Sequence, residues 1–87
     1  MADKKIVIIP TYNEKENIEN IIRKVFSLEG GFDILIIDDG SPDGTANIVK
    51  GLQQEFPERL FMIERAGKQG LGTAYITGFK WSVSKGY

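Results

Sequence analysis

Neither cysteine nor histidine occurs anywhere in the 87 residues. Disulfides, thiolate zinc sites, Ser-His-Asp triads and Cys-His nucleophile pairs are excluded together. The missing cysteine fits a reducing compartment, so a cytoplasmic location is expected. An excess of one charge is missing too: 11 Lys and Arg face 12 Asp and Glu, and the net charge is -1. No basic block exceeds Lys4-Lys5, so there is no field to hold nucleic acid, and none is expected as a partner. Long apolar runs are also absent near the start. The polar stretch Met1-Ala2-Asp3-Lys4-Lys5 precedes only four apolar residues, Ile6 to Ile9, too few for a signal peptide or a membrane span.

What is present is ordinary globular material, 41% hydrophobic and 26% charged. Residues 1–87 suffice for one small domain or part of a larger one. The pattern reads strand, helix, strand, helix, strand, helix. Lys5 to Pro10 is almost wholly apolar, as in a strand buried on both faces, and Pro10 is expected to end it. Ile18, Ile21, Ile22, Val25 and Phe26 recur at helical spacing within Asn13 to Ser27, and Gly30-Gly31 closes that helix. Phe32 to Asp38 repeats the buried-strand pattern. A second helix is predicted from Thr45 to about Phe56, with Ala46, Val49, Leu52 and Phe56 on one face, and a short strand from Leu60 to Glu64. The third helix begins near Leu71 and carries Ala74, Tyr75, Gly78, Phe79 and Ser82 on one face. Alternating strands and helices predict right-handed βαβ units, a parallel sheet and helices on both faces: a three-layer α/β/α arrangement. The next element expected is another buried strand. Tyr87 therefore reads as a truncation point more readily than as a natural terminus.

Ligands of such sheets bind at the carboxyl ends of the strands, and three motifs lie there. The first is Pro10-Thr11-Tyr12-Asn13-Glu14. It stands where a dinucleotide site would have glycines, and has none. Tyr12 offers a face for stacking on a base, and Glu14 a carboxylate for base or ribose. Taken alone, Thr11 and Glu14 read more simply as a capping box. The second is Asp38-Asp39-Gly40-Ser41-Pro42-Asp43-Gly44, whose adjacent acids suit a ribose hydroxyl or a nearby metal ion. Ser41 or Asp43 capping the second helix, with Asp38 and Asp39 in a solvated turn, is the plainer alternative. A cap needs one such residue, whereas four cluster here, which favours a site. The third is the loop Arg65-Ala66-Gly67-Lys68-Gln69-Gly70-Leu71-Gly72 before a helix N-terminus, which can receive phosphate oxygens or be an ordinary turn. It lacks P-loop spacing.

In this order, the three motifs resemble the signatures of family-2 glycosyltransferases with the GT-A fold. The branch most similar is that of dolichol- or polyprenol-phosphate mannosyltransferases. Ser41-Pro42-Asp43-Gly44-Thr45 and the stretch Gly70 to Lys80 carry that closer likeness, which covers the chain from Ile6 to Lys85. The resemblance implies that residues 1–87 are the N-terminal βαβαβα half of one Rossmann-like nucleotide-diphospho-sugar transferase domain. It implies nucleotide-sugar contacts at Pro10, Tyr12, Glu14, Ile37 and Asp39, with Asp38 structural. The implied reaction transfers a hexose, mannose foremost, from a donor such as GDP-mannose to dolichol or polyprenol phosphate with inversion. The family's D-x-D motif, which holds Mg2+ or Mn2+, is not in this sequence, nor are the acceptor-side residues. The fragment itself is expected to be inactive, and its parent to work at the cytoplasmic face of a membrane in cell-envelope glycan synthesis. Exposed sheet edges would favour self-association. Glucosyl or aminosugar transfer to undecaprenyl phosphate, or polysaccharide synthesis, is the alternative within the class. A receiver-like domain or a non-catalytic nucleotide-binding module stands further off. The first strand's end in Pro10 argues against the receiver.

Overall fold

A computed structural model describes residues 5–66 and 70–87. Strands β1 (Lys5–Thr11), β2 (Phe32–Asp38) and β3 (Leu60–Glu64) alternate with helices α1 (Ile18–Ser27), α2 (Thr45–Glu55) and α3 (Leu71–Ser84). The three strands form one parallel sheet in the order β1-β2-β3. Side chains of a strand alternate between faces, and the apolar run of β2 feeds two cores. Ile34 and Ile36 join Ile18 and Ile22 of α1, Val49 and Leu52 of α2, and Leu60. Leu35 and Ile37 join Ala74 of α3, with Ile6, Ile8, Phe61, Ile63 and Trp81 against them. The layers are thus α1 and α2, then the sheet, then α3, which is the three-layer arrangement expected.

Two boundaries and one helix face differ from the sequence expectation. β1 runs through Pro10 to Thr11. Among the described strands β1 lies at an edge, where a residue without an N–H is tolerated. Helix α1 begins at Ile18, not Asn13. Asn13 has a φ of 57°, in the left-handed region, which Asn tolerates but no helix contains. The exposed face of α3 is also more apolar than its pattern suggested. Ala74, Gly78 and Ser82 face the sheet, but Tyr75 and Phe79 do not: Phe79 is 66% exposed, beside exposed Ile76 and Val83. Only the narrow line of small residues lets α3 lie close to β1.

Gly78 marks that close approach. A Cβ there would stand 2.7 Å from Ile8 Cγ2 and 3.1 Å from Ile8 Cδ1. Ile8 is β-branched and stiff, so relief requires α3 to move. Gly51, in α2, has nothing within 4 Å of such a Cβ. Gly51→Ala should therefore stabilise the chain by about 0.5–1 kcal/mol through helix propensity. Gly78→Ala should lose that gain and destabilise by about 1–3 kcal/mol through overpacking. Urea unfolding of the two variants checks this; a stabilised Gly78→Ala would show that α3 is not in close contact with β1.

Candidate nucleotide site at the carboxyl edge of the sheet

The strand ends are level. Thr11, Asp38 and Glu64 are partners across the sheet. The ladders run one residue further: Asp39 N–H donates to Thr11 O at 3.1 Å, and Arg65 N–H to Asp38 O at 2.7 Å. Tyr12, Asp39 and Arg65 consequently leave the sheet side by side. Parallel pairing thus brings to one edge residues that lie far apart in sequence.

Asp38 and Asp39 are not in a solvated turn. Asp38 is 1% exposed and Asp39 6%. A buried carboxylate must be paired or hydrogen-bonded, and each of these solves that requirement differently. Asp38 accepts from Thr11 Oγ1 at 2.9 Å, Ser41 N at 3.0 Å and Ser41 Oγ at 2.6 Å. Asp39 is gripped by a fork: Arg65 Nε donates to Oδ1 at 2.6 Å and Nη2 to Oδ2 at 2.9 Å. The pairing holds the Arg65 guanidinium still more firmly protonated. Arg65 also donates to Thr73 Oγ1 at 3.1 Å, and so ties Asp39 to the first turn of α3. Among the described residues no buried side-chain nitrogen or oxygen lacks a partner, so the edge is preorganised.

The capping box does not form. Thr11 spends its hydroxyl proton on Asp38, and the N-cap of α1 is Asn17, without a side-chain cap bond. Glu14 instead closes a turn with its carbonyl, accepting from Asn17 N at 3.0 Å and Ile18 N at 2.8 Å. The second alternative fails too: the N-cap of α2 is Gly44, without a side-chain cap bond, and Asp43 bonds the residue after it. Asp43 Oδ1 accepts from Thr45 N at 3.0 Å and Thr45 Oγ1 at 2.5 Å at the start of α2.

Of the residues singled out for the nucleotide, Pro10 is half-buried in β1, Tyr12 is 38% exposed on the loop after it, and Glu14 is half-buried. Asp39 lies at the same edge with its carboxylate shared with Arg65. Ile37 differs: its side chain is fully buried against Ala74, so it floors the edge and presents no surface to it. Arg65 was missed as a partner because an arginine after a strand carries no pattern of its own. Lys68 and its neighbours in the third loop lie outside the described residues. The described residues do not fit a metal ion: no three potential ligands converge, and Asp38 and Asp39 are already committed. No described helix is long and apolar enough to cross a membrane.

A parallel sheet with three strand ends level at one edge is an α/β unit of the class that binds nucleotides at such edges. The chain belongs to the glycosyl transferase family 2, whose model matches residues 6–87. It is 44% identical to a polyprenol monophosphomannose synthase of Mycolicibacterium smegmatis, over 99% of this chain and 32% of that protein. It is 39% identical to an undecaprenyl-phosphate mannosyltransferase of Micrococcus luteus, over 94% of this chain and 33% of that protein. Its structure matches a mannosyltransferase from Pyrobaculum calidifontis in complex with GDP-Man and Mn2+, with a TM-score of 0.82 and 25% identity, over 92% of this chain and 24% of that one. The fold is thus the N-terminal part of a GT-A domain, and the chain spans about a third of the length of the curated relatives it matches.

Two outcomes follow from these bonds. Asp38→Asn keeps the shape but replaces an acceptor with a donor facing other donors. It should cost about 1–3 kcal/mol in urea unfolding, and a loss below about 0.5 would show the network to be slack. The Thr45 hydroxyl, and then the main-chain N–H groups of Lys15 and Thr45, hold the Asp43 carboxyl below its usual 3.8 against the opposing effect of desolvation. A lowered folded value means that its stabilisation is complete above the unfolded value and lost as pH falls through the folded one. Carboxyl NMR titration should therefore give Asp43 a midpoint below 3.8; a midpoint at or above it contradicts the bonding.

Proposed function

We propose that this chain is the nucleotide-binding part of an inverting mannosyltransferase that moves mannose from GDP-mannose to a polyprenol phosphate. The observation that carries the reading is the level edge of Tyr12, Asp39 and Arg65 in a member of this family. The mannosyl-transferring relatives and the neighbour's GDP-Man support the donor and the class of acceptor. Tyr12 supplies an aromatic ring for the base. Glu14 and Asp39 supply acceptors for base or ribose hydroxyls. A lipid phosphate is ionised at neutral pH, so it attacks the anomeric carbon in line without a strong base. A divalent cation, as in the neighbour's Mn2+ complex, would neutralise the leaving diphosphate and be held by residues beyond those described. The parent works at the cytoplasmic face of a membrane. The edges of β1 and β3, outermost among the described strands, and the apolar face of α3 favour self-association of the isolated chain.

Calorimetric titration with GDP, GDP-mannose and UDP tests the assignment. Both guanosine ligands should bind, and UDP more weakly by about tenfold or more. Equal response to all three, or to none, overturns the guanosine reading. The contacts of Asp39 hold ground state and transition state alike. In an enzyme of the relatives' full length, Asp39→Ala should raise KM for the donor by about tenfold and leave kcat within about twofold. An unchanged KM would remove Asp39 from the site.

A further inference from the structure

The segment Ser41-Pro42-Asp43-Gly44-Thr45 supplies none of the proposed ligand contacts, yet its side chains reach across to the first loop. Three consecutive main-chain N–H groups of that loop are each taken by one of them. Asn13 N donates to Ser41 Oγ at 2.9 Å, Glu14 N to Thr45 Oγ1 at 3.0 Å and Lys15 N to Asp43 Oδ2 at 3.1 Å. The polarity of the two hydroxyls is set behind them. Ser41 spends its one proton on Asp38, at 2.6 Å, and Thr45 spends its own on Asp43, at 2.5 Å. Each is left with lone pairs only towards the loop, so each must accept there. The loop needs this help. Asn13 is held at a φ of 57°, and residues 13–15 precede the first turn of α1, so no helix or strand supplies partners for their N–H groups.

We propose that Ser41, Asp43 and Thr45 are positioning residues of the nucleotide site. They act on the main chain of residues 13–15 and thereby set where Tyr12 and Glu14 stand, without touching the ligand. This rests on the nucleotide-binding reading above. The main chain of Glu14 is held directly by Thr45, and Tyr12 is fixed between the end of β1 and the clasped Asn13. Loss of a clasp lets the loop sample other conformations, and affinity falls by the fraction of time the loop is misplaced.

Thr45→Val is nearly isosteric and removes the acceptor for Glu14 N; Thr45→Ser restores it. Both are compared with the parent 87-residue chain by GDP calorimetry, and amide hydrogen exchange is followed at residues 13–15. Thr45→Val should weaken GDP binding by about five- to tenfold and speed exchange at Glu14, and Thr45→Ser should recover most of both. Should the valine variant fail to fold, Ser41→Ala, at the more exposed bond to Asn13, carries the same expectation. A folded Thr45→Val or Ser41→Ala chain that binds GDP as the parent does overturns the clasp, however much its thermal midpoint falls. So does a serine variant no better than valine. A parent chain that binds no GDP overturns the nucleotide reading itself, and the clasp's purpose with it.

Discussion

The carboxylate of Asp38 stands at the end of the central strand, almost wholly withdrawn from water. A charge in that position is tolerable only with donors around it. Thr11 comes from the neighbouring strand and Ser41 from the next loop, and together they supply three donors. The requirement of one buried charge therefore binds the first βα connection to the second. The first loop takes part of its position from that node and part from Asp43. Ser41, oriented by Asp38, holds Asn13; Thr45, oriented by Asp43, holds Glu14.

Asp39, one residue on, lies at the end of the same strand and meets the same requirement through the third connection. Its fork with Arg65 joins β2 to β3, and Arg65 joins both to α3 through Thr73. Two adjacent acids thus tie all three βα connections into one surface. That division explains why the pair is doubled.

Much of this was legible in the sequence. Apolar runs at 34–37 and 6–9 announce strands, the first buried on both faces and the second, in β1, only half-buried, and Ile18, Ile22, Val49 and Leu52 recur at helical spacing. The clustering of acids and hydroxyls after the second strand pointed to a site. What failed was local inference at the loops. Thr11 and Glu14 match a capping box, but a buried charge 27 residues away outcompetes the cap for the Thr11 hydroxyl. Pro10 reads as a strand end, but the position of β1 at an edge removes the penalty. Tyr75 and Phe79 share a helical face with Ala74 by spacing, yet the close approach to Ile8 is made at Gly78, and both rings stay exposed.

The absence of cysteine and histidine, the alternation of apolar runs and periodic helices, and the ordered motifs were sufficient to determine the class of fold and the family. These are properties of residue type and spacing along the chain. Which donor satisfies which carboxylate was decided only in three dimensions, because parallel pairing brings Thr11, Asp38 and Glu64 level and so makes partners of residues some 26 positions apart. Arg65 on Asp39 and the three-fold clasp on residues 13–15 both follow from that alignment, and no local pattern encodes it.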